Sequence, residues 1–244
     1  MKDIFSVQAA SYARFRPGYP AVLFDYLQKI CANHDTAWDC ATGNGQIASG
    51  LSAFFTEIYA TDISEQQLTH AIPAPNIIYR REAAESSSFK DRMFDLIVVA
   101  QAIHWFDFDR FYQEVKRTLK PEGVFVVTGY GTVVINSEID ALLLDFHENI
   151  VGSYWDPERV YVDEHYKTIP FPFVELETPQ LAYRDHWSLD RLCGYVDSWS
   201  ATQHYIKANG ENPVPALRKR LLSAWGTLSD IPLAFPVLLR AGKL

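Results

Sequence analysis

The sequence predicts an α/β domain: a mostly parallel sheet covered by helices on both faces. Short apolar runs alternate with helix-like stretches through the first half of the chain, the rhythm of right-handed strand–helix–strand crossovers. The first run ends in Asp39 and a glycine turn, Ala41-Thr42-Gly43-Asn44-Gly45, and the second ends in Asp62. Acids and a glycine turn at the carboxyl ends of neighbouring parallel strands mark the crevice where open sheets bind ligands.

An aromatic and basic leader (5–20) comes first. A helix is expected over 21–32, where Val22, Leu23, Tyr26, Leu27 and Ile30 recur at helical spacing. Strands are expected at 36–39, 58–61, 77–79, 96–100 and 124–129, with helices over 46–55, 64–71 and 108–119 among them. Lys120-Pro121-Glu122-Gly123 stops the last of these helices and turns the chain into the fifth strand.

Beyond Thr132 the rhythm changes. A longer amphipathic helix is expected over 135–151, and the stretch 154–172, rich in aromatics, prolines and charges, reads as loop and short elements. A sixth strand is expected over 173–183, helices over 189–199 and 215–225, and a last strand over 233–239. Pro232 and Pro236 mark that last strand as an edge or bulged one. The chain reads as one domain, 1–244. Residues 1–35 form a leader and lid helix, 36–131 a cofactor-binding core, and 132–244 an acceptor-pocket elaboration with the last two strands.

Composition narrows the function. At 244 residues and 48% hydrophobic content the chain builds a full core. A formal charge of −8 argues against a nucleic-acid surface, which needs a basic stripe. Three scattered cysteines, Cys31, Cys40 and Cys193, suit a reducing compartment, and no stretch spans a bilayer. We expect a soluble cytoplasmic protein, monomeric or homodimeric, without nucleic-acid or membrane partners. His147-Glu148 and His165 have no metal-ligand spacing, and no metal is expected.

The crevice itself discriminates among cofactors. A dinucleotide fingerprint requires Gly-x-Gly-x-x-Gly, whereas this string runs Asp39, Ala41, Gly43, Gly45, with Ala48 where a third glycine would stand. A carboxylate at the strand end repels phosphate but accepts well from an ammonium group. That favours a cofactor with an amino-acid head over a nicotinamide dinucleotide.

In this light the chain resembles a class I S-adenosylmethionine-dependent methyltransferase. Asp39, Ala41, Gly43 and Gly45 match the family's first motif and Asp62 its ribose-binding acid. Ala84-Glu85 match the segment near the adenine. Asp95-Leu96-Ile97-Val98, followed by Gln101-Ala102-Ile103-His104-Trp105-Phe106, matches the fourth strand and its substrate-facing stretch. Arg117-Thr118-Leu119-Lys120-Pro121-Glu122-Gly123 matches the approach to the fifth strand. The stretch 12–20, His104-Trp105, Tyr154-Trp155-Asp156 and Trp199-Ser200-Ala201 look similar to the trans-aconitate methyltransferase-like branch. The resemblance implies a Rossmann-like, seven-stranded sheet of order 3-2-1-4-5-7-6 with the last strand antiparallel, and a small helical, aromatic cap.

It also implies S-adenosyl-L-methionine as cofactor and S-adenosyl-L-homocysteine as product. Expected cofactor contacts are Tyr12 and Arg16 from the leader; Asp39, Ala41, Gly43 and Gly45 from the loop; and Asp62 and Ile63. Ala84, Glu85, Ala100 and Gln101 complete that set. Ala41 replaces the family's first glycine and is tolerated if its φ stays negative. His104 is the candidate catalytic residue, a neutral imidazole able to take a proton if the acceptor is a hydroxyl; a carboxylate acceptor needs no base. Trp105, Tyr154, Trp155, Tyr195 and Trp199 are candidate walls of an acceptor pocket. Arg159 and Arg184 are candidate clamps for an acceptor carboxylate. The expected reaction is methyl transfer to a carboxylate or hydroxyl oxygen of a small molecule. The alternative is a catalytically silent binding module with the same fold.

Overall fold

A computed structural model of the chain describes residues 15–244. Five parallel strands form the body of its sheet: β1 (Thr36–Cys40), β2 (Glu57–Asp62), β3 (Ile77–Arg81), β4 (Phe94–Ala100) and β5 (Leu119–Tyr130). β6 (Val174–Glu175) and β7 (Ala182–Ser188) both pair antiparallel with the long β8 (Asp230–Lys243), which itself lies antiparallel to β5. The order is β3-β2-β1-β4-β5-β8-β6, with β7 also on β8. This is the expected topology, with β8 in the seventh-strand position.

Two details correct the sequence reading. The expected single sixth strand over 173–183 is divided, so the sheet has eight strands. The chain leaves the ladder between Glu175 and Ala182, where Pro179 has no N–H to donate. The last strand is neither an edge strand nor short. Asp230–Pro236 pair with β7 and Val237–Gly242 with β5. Ala234 exchanges N–H and C=O with Val134 on the side away from β7. Strand alternation turns the nitrogens of Pro232 and Pro236 to that same side, so neither proline removes a bond from the β7 ladder.

Helices α1 (Ala21–Ile30), α2 (Gln46–Leu51), α3 (Glu65–Thr69) and α4 (Phe108–Thr118) connect or flank the parallel strands. Ser64, rather than Asp62, caps α3, its hydroxyl accepting from Gln67 N at 3.2 Å. β4 is a buried apolar run whose side chains alternate between two cores: Leu96 and Val98 face Leu23, Leu27 and Ile47, while Ile97 and Val99 face Trp38 and Phe111. At the amino ends of the strands, Asp95 accepts from Asp35 N (3.1 Å), Thr36 N (3.0 Å) and Lys120 Nζ (2.9 Å). That clamp ties β1, β4 and β5 together.

The cap comprises α5 (Ser137–Asp145), α6 (Val160–Asp163), α7 (Leu189–Asp197), α8 (Ser200–Asn209) and α9 (Val214–Trp225). Asn136 caps α5, and the helix widens into a π-turn over Phe146–Ile150. α8 is absent from the sequence reading because it buries only Ala201 and Thr202 and so shows almost no apolar stripe. The cap has its own core around Trp187, Tyr195, Trp199, Leu217 and Phe235.

Candidate functional site

β1 ends at Cys40 and the chain turns through three left-handed residues, Ala41 (φ 55°), Gly43 (φ 56°) and Gly45 (φ 83°), before α2 begins. Alanine at 41 therefore does not meet the condition of a negative φ under which it would be readily tolerated. Its Cβ is held in a region that glycine occupies freely and other residues rarely. Gly45 is fixed twice over, because a Cβ there would lie 2.2 Å from Tyr79 Oη, which itself donates to Ile72 O at 2.7 Å.

Beneath this loop Asp39 is 1% exposed. Its Oδ2 accepts from Thr42 Oγ1 (2.5 Å) and from Ala48 N (2.9 Å) in α2, while Oδ1 has no hydrogen-bond partner among the described residues. Burial pushes the carboxyl up to about 7, against the lowering effect of those two donors. Asp62, at the end of β2, is held by both oxygens: Oδ2 accepts from Gly43 N at 2.9 Å and Oδ1 from Ser64 N at 2.8 Å. The two acids and the glycine loop thus form one hydrogen-bonded unit. Ile63 is half-buried, Ala84 is buried, and Glu85 accepts from Asp107 N at 3.3 Å. Tyr12 lies outside the described residues.

Two cavities open at the carboxyl ends of β1, β4 and β5. One lies along the loop and is lined by Arg16, Tyr19, Ala41–Asn44, Ala100, Gln101 and Tyr130 among others. The other is lined by His104, Trp105, Trp155, Asp156, Arg159, Tyr195 and Trp199 among others. Arg16, Gln101 and Tyr130 line both, so the cavities meet at these three residues. Of the residues expected to wall an acceptor pocket, Trp105, Trp155, Tyr195 and Trp199 line the second cavity. Tyr154 does not: its ring packs on Tyr205, and its hydroxyl accepts from Asn209 Nδ2 at 2.9 Å. Arg159 lines the chamber, whereas Arg184 is exposed on β7 and does not.

A methyltransferase-domain family model matches residues 38–127. A Dictyostelium discoideum protein named as a methyltransferase is 32% identical over 249 residues, covering 99% of this chain and 95% of its own. The chain belongs to the class I S-adenosylmethionine-dependent methyltransferases. A solved structure from Anaeromyxobacter dehalogenans, named as a type II methyltransferase, superposes with a TM-score of 0.87 at 36% identity, covering 94% of this chain and 98% of that one. A Saccharomyces cerevisiae protein whose name specifies S-adenosylmethionine dependence is 26% identical, over 84% of this chain and 83% of its own.

The loop of this methyltransferase fits the family's methyl donor. Asp39 Oδ1, buried beneath the loop without a hydrogen-bond partner among the described residues, is an acceptor of the kind an amino-acid ammonium satisfies, and the two left-handed glycines let the loop backbone approach a ligand closely. Among the described residues no cluster could hold a metal ion, and no helix is long and apolar enough to cross a membrane.

In the second chamber His104 is 8% exposed, with its ring 4.8 Å from that of Trp105. Burial, reinforced by the positive charge of Arg159, lowers its pKa to about 3. The ring is neutral near pH 7, and so weak a base does not hold a proton there. Tyr166, fully buried, places its hydroxyl 3.2 Å from Gln101 Oε1 and 3.3 Å from His104 Nδ1. Arg16 donates to Tyr130 Oη (3.3 Å) and Ser198 O (3.0 Å), with its guanidinium 5.4 Å from the centre of the Tyr195 ring. Arg159 donates to Asp163 Oδ1 at 2.8 Å and packs its guanidinium 4.6 Å from the Trp155 ring centre.

Sequence reasoning missed Tyr130 and Tyr166, and it named Asp156 only within the Tyr154-Trp155-Asp156 run, not as a lining residue. Tyr130 was findable as the residue that ends the fifth strand beside the crevice. Tyr166 follows His165 with both residues left-handed, at φ 59° and 58°, and nothing in the local sequence announces that turn.

Proposed function

We propose that this enzyme methylates a small molecule at a carboxylate or hydroxyl oxygen, with the loop cavity holding the methyl donor and the aromatic chamber the acceptor. The observation that carries the reading is that the two cavities meet at Arg16, Gln101 and Tyr130. S-Adenosylmethionine, when bound, supplies an electrophilic methyl group and leaves as S-adenosylhomocysteine, its sulfur keeping the electron pair of the broken S–C bond.

The protein's own contribution is positioning and exclusion of water. Asp39 accepts from the amino-acid ammonium and Asp62 from the ribose hydroxyls. Arg16, from the leader, bridges the two chambers. Residues 132–244 supply Trp155, Arg159, Tyr195 and Trp199, in line with a trans-aconitate methyltransferase-like acceptor pocket. The net charge of −8 and three buried free cysteines suit a soluble cytoplasmic enzyme, monomer or homodimer, without nucleic-acid partners.

Isothermal titration with S-adenosylhomocysteine tests the donor site. Saturable binding in the micromolar range is expected, weakened at least tenfold by Asp62→Ala. No heat at high micromolar ligand would overturn the assignment and return the silent binding module.

A further inference from the structure

We propose that this methyltransferase takes acceptors that react at a neutral hydroxyl, whose O–H donates to Nε2 of His104. The inference rests on the methyl-transfer reading above and narrows it. It follows from a chain of hydrogen bonds in which each link leaves the next no choice.

The Tyr130 carbonyl can only accept, so it fixes the Gln101 amide with Nε2 toward it, at 3.1 Å. Gln101 Oε1 is thereby turned to Tyr166 Oη, 3.2 Å away. An amide oxygen only accepts, so the single proton of the Tyr166 hydroxyl must point to it. Were that proton given to His104 instead, two lone-pair oxygens would face each other beside a fully buried ring. Tyr166 Oη therefore meets His104 Nδ1, at 3.3 Å, with a lone pair, and Nδ1 must carry the hydrogen.

A neutral imidazole has one N–H and one lone pair. With the hydrogen on Nδ1, the lone pair is on Nε2, across the ring, to which no described residue hydrogen-bonds. His104 lines the acceptor chamber, and burial keeps it neutral well below pH 7. The chamber thus offers a fixed acceptor at this point. A hydroxyl satisfies it; a carboxylate oxygen brings only lone pairs and is repelled. As the hydroxyl oxygen bonds to the methyl carbon and the donor's S–C bond breaks, the O–H proton passes to Nε2, a far stronger base than an alkylated hydroxyl oxygen. It then passes to solvent, because the buried ring is neutral near pH 7. Gln101 and Tyr166 are positioning residues in this scheme: they set the tautomer and act through His104.

The tautomer can be read without turnover. In protein labelled with ¹⁵N-histidine, long-range ¹H–¹⁵N correlation near neutral pH should show His104 protonated at Nδ1 and bare at Nε2. His104→Asn assigns the signal among the seven histidines. Tyr166→Phe, which removes one oxygen, should release the ring to the Nε2–H form that free imidazole side chains prefer. A wild-type ring protonated at Nε2 overturns the proposal, and so does a Tyr166→Phe ring that stays protonated at Nδ1.

The substrate arm uses S-adenosylmethionine and paired probes, hydroxybenzoates against benzoate and 2-hydroxy acids against their deoxy counterparts. Methyl ethers from the hydroxylated member alone are expected, and methyl esters of the unhydroxylated acids overturn the choice of hydroxyl. Failure of the enzyme to bind S-adenosylhomocysteine would count against the methyltransferase site and leave the tautomer measurement standing on its own.

Discussion

Ala41 and Gln101 hold the two left-handed non-glycine backbones at this crevice, φ 55° and 56°, at the ends of β1 and β4. Strain of this kind persists where surrounding structure over-determines it, and it clusters at ligand sites. A left-handed conformation costs a non-glycine residue about 1–2 kcal/mol, while glycine's extra unfolded freedom returns roughly 0.5–1 kcal/mol of that. Ala41→Gly should therefore stabilise the fold by roughly 0.5–1 kcal/mol. Urea unfolding would show a higher midpoint with unchanged slope; a lower midpoint would mean that Ala41 carries no strain. Asp39 makes a second prediction. Its folded pKa, about 7, stands above the ordinary 3.8, so its contribution to stability is complete below the unfolded value and is lost as pH rises through 7. A bound ammonium favours the ionised form and reverses that preference. Affinity for S-adenosylhomocysteine should rise up to roughly tenfold from about pH 6 to about pH 8, since each unit below the pKa costs up to tenfold. Asp39→Asn should weaken binding and flatten the profile. A sloping profile in that variant would assign the titration to another group.

The elements were legible where one physical signal dominated. β1, β2 and β4 each centre on buried apolar residues (Ala37-Trp38, Ile58-Tyr59-Ala60, Leu96-Ile97-Val98-Val99) with their polar residues toward the ends, and each starts within a residue or two of its expected place. The glycine loop was legible as a loop, but the φ of Ala41 was not, because residue identity does not set which backbone well tertiary contacts impose. The acceptor chamber was half legible. Trp105, Trp155, Tyr195 and Trp199 were found as aromatics near the expected pocket, whereas Tyr154, in the same run as Trp155, turns away to Tyr205. Asp95 and Lys120 were seen as family-like residues, and their role proves architectural, at the amino ends of the strands. Asp95 is 4% exposed and keeps its Asp35 and Thr36 amide donors if the lysine is lost. Removing one partner of a fully buried pair costs about 3–5 kcal/mol; Lys120 is 28% exposed and the two amides remain, so Lys120→Met should cost less, about 2 kcal/mol. Chemical denaturation should report that loss while the folded variant binds S-adenosylhomocysteine as the parent does. A large fall in affinity at full folding would move the clamp into the binding site.

At the scale of the whole molecule, the parallel half of the sheet and Arg16 build the loop cavity, while the chamber is shared: His104 and Trp105 follow β4, Tyr130 ends β5, and Trp155, Arg159, Tyr195 and Trp199 come from the cap region. The cap has a separate core, joined to the parallel layer along the β5–β8 seam. Damage to the cap should therefore lower stability without dismantling the donor cavity. Trp199 tests this. It is 4% exposed, packs on Trp155 at 5.6 Å and Tyr195 at 5.7 Å between ring centres, and lines the chamber but not the loop cavity. Truncating a buried tryptophan costs about 3–5 kcal/mol, which in a domain of this size lowers the melting temperature by roughly 10 °C. S-Adenosylhomocysteine at a hundredfold excess over its Kd stabilises its site by about 2.7 kcal/mol, an upward shift of roughly 5–10 °C. Thermal melts of Trp199→Ala should show the lowered baseline and, at the same multiple of Kd, the full ligand-induced rise, with methyl transfer lost. If the ligand shift disappears along with the baseline, the two cavities are one cooperative unit, and the division of labour between sheet and cap is wrong.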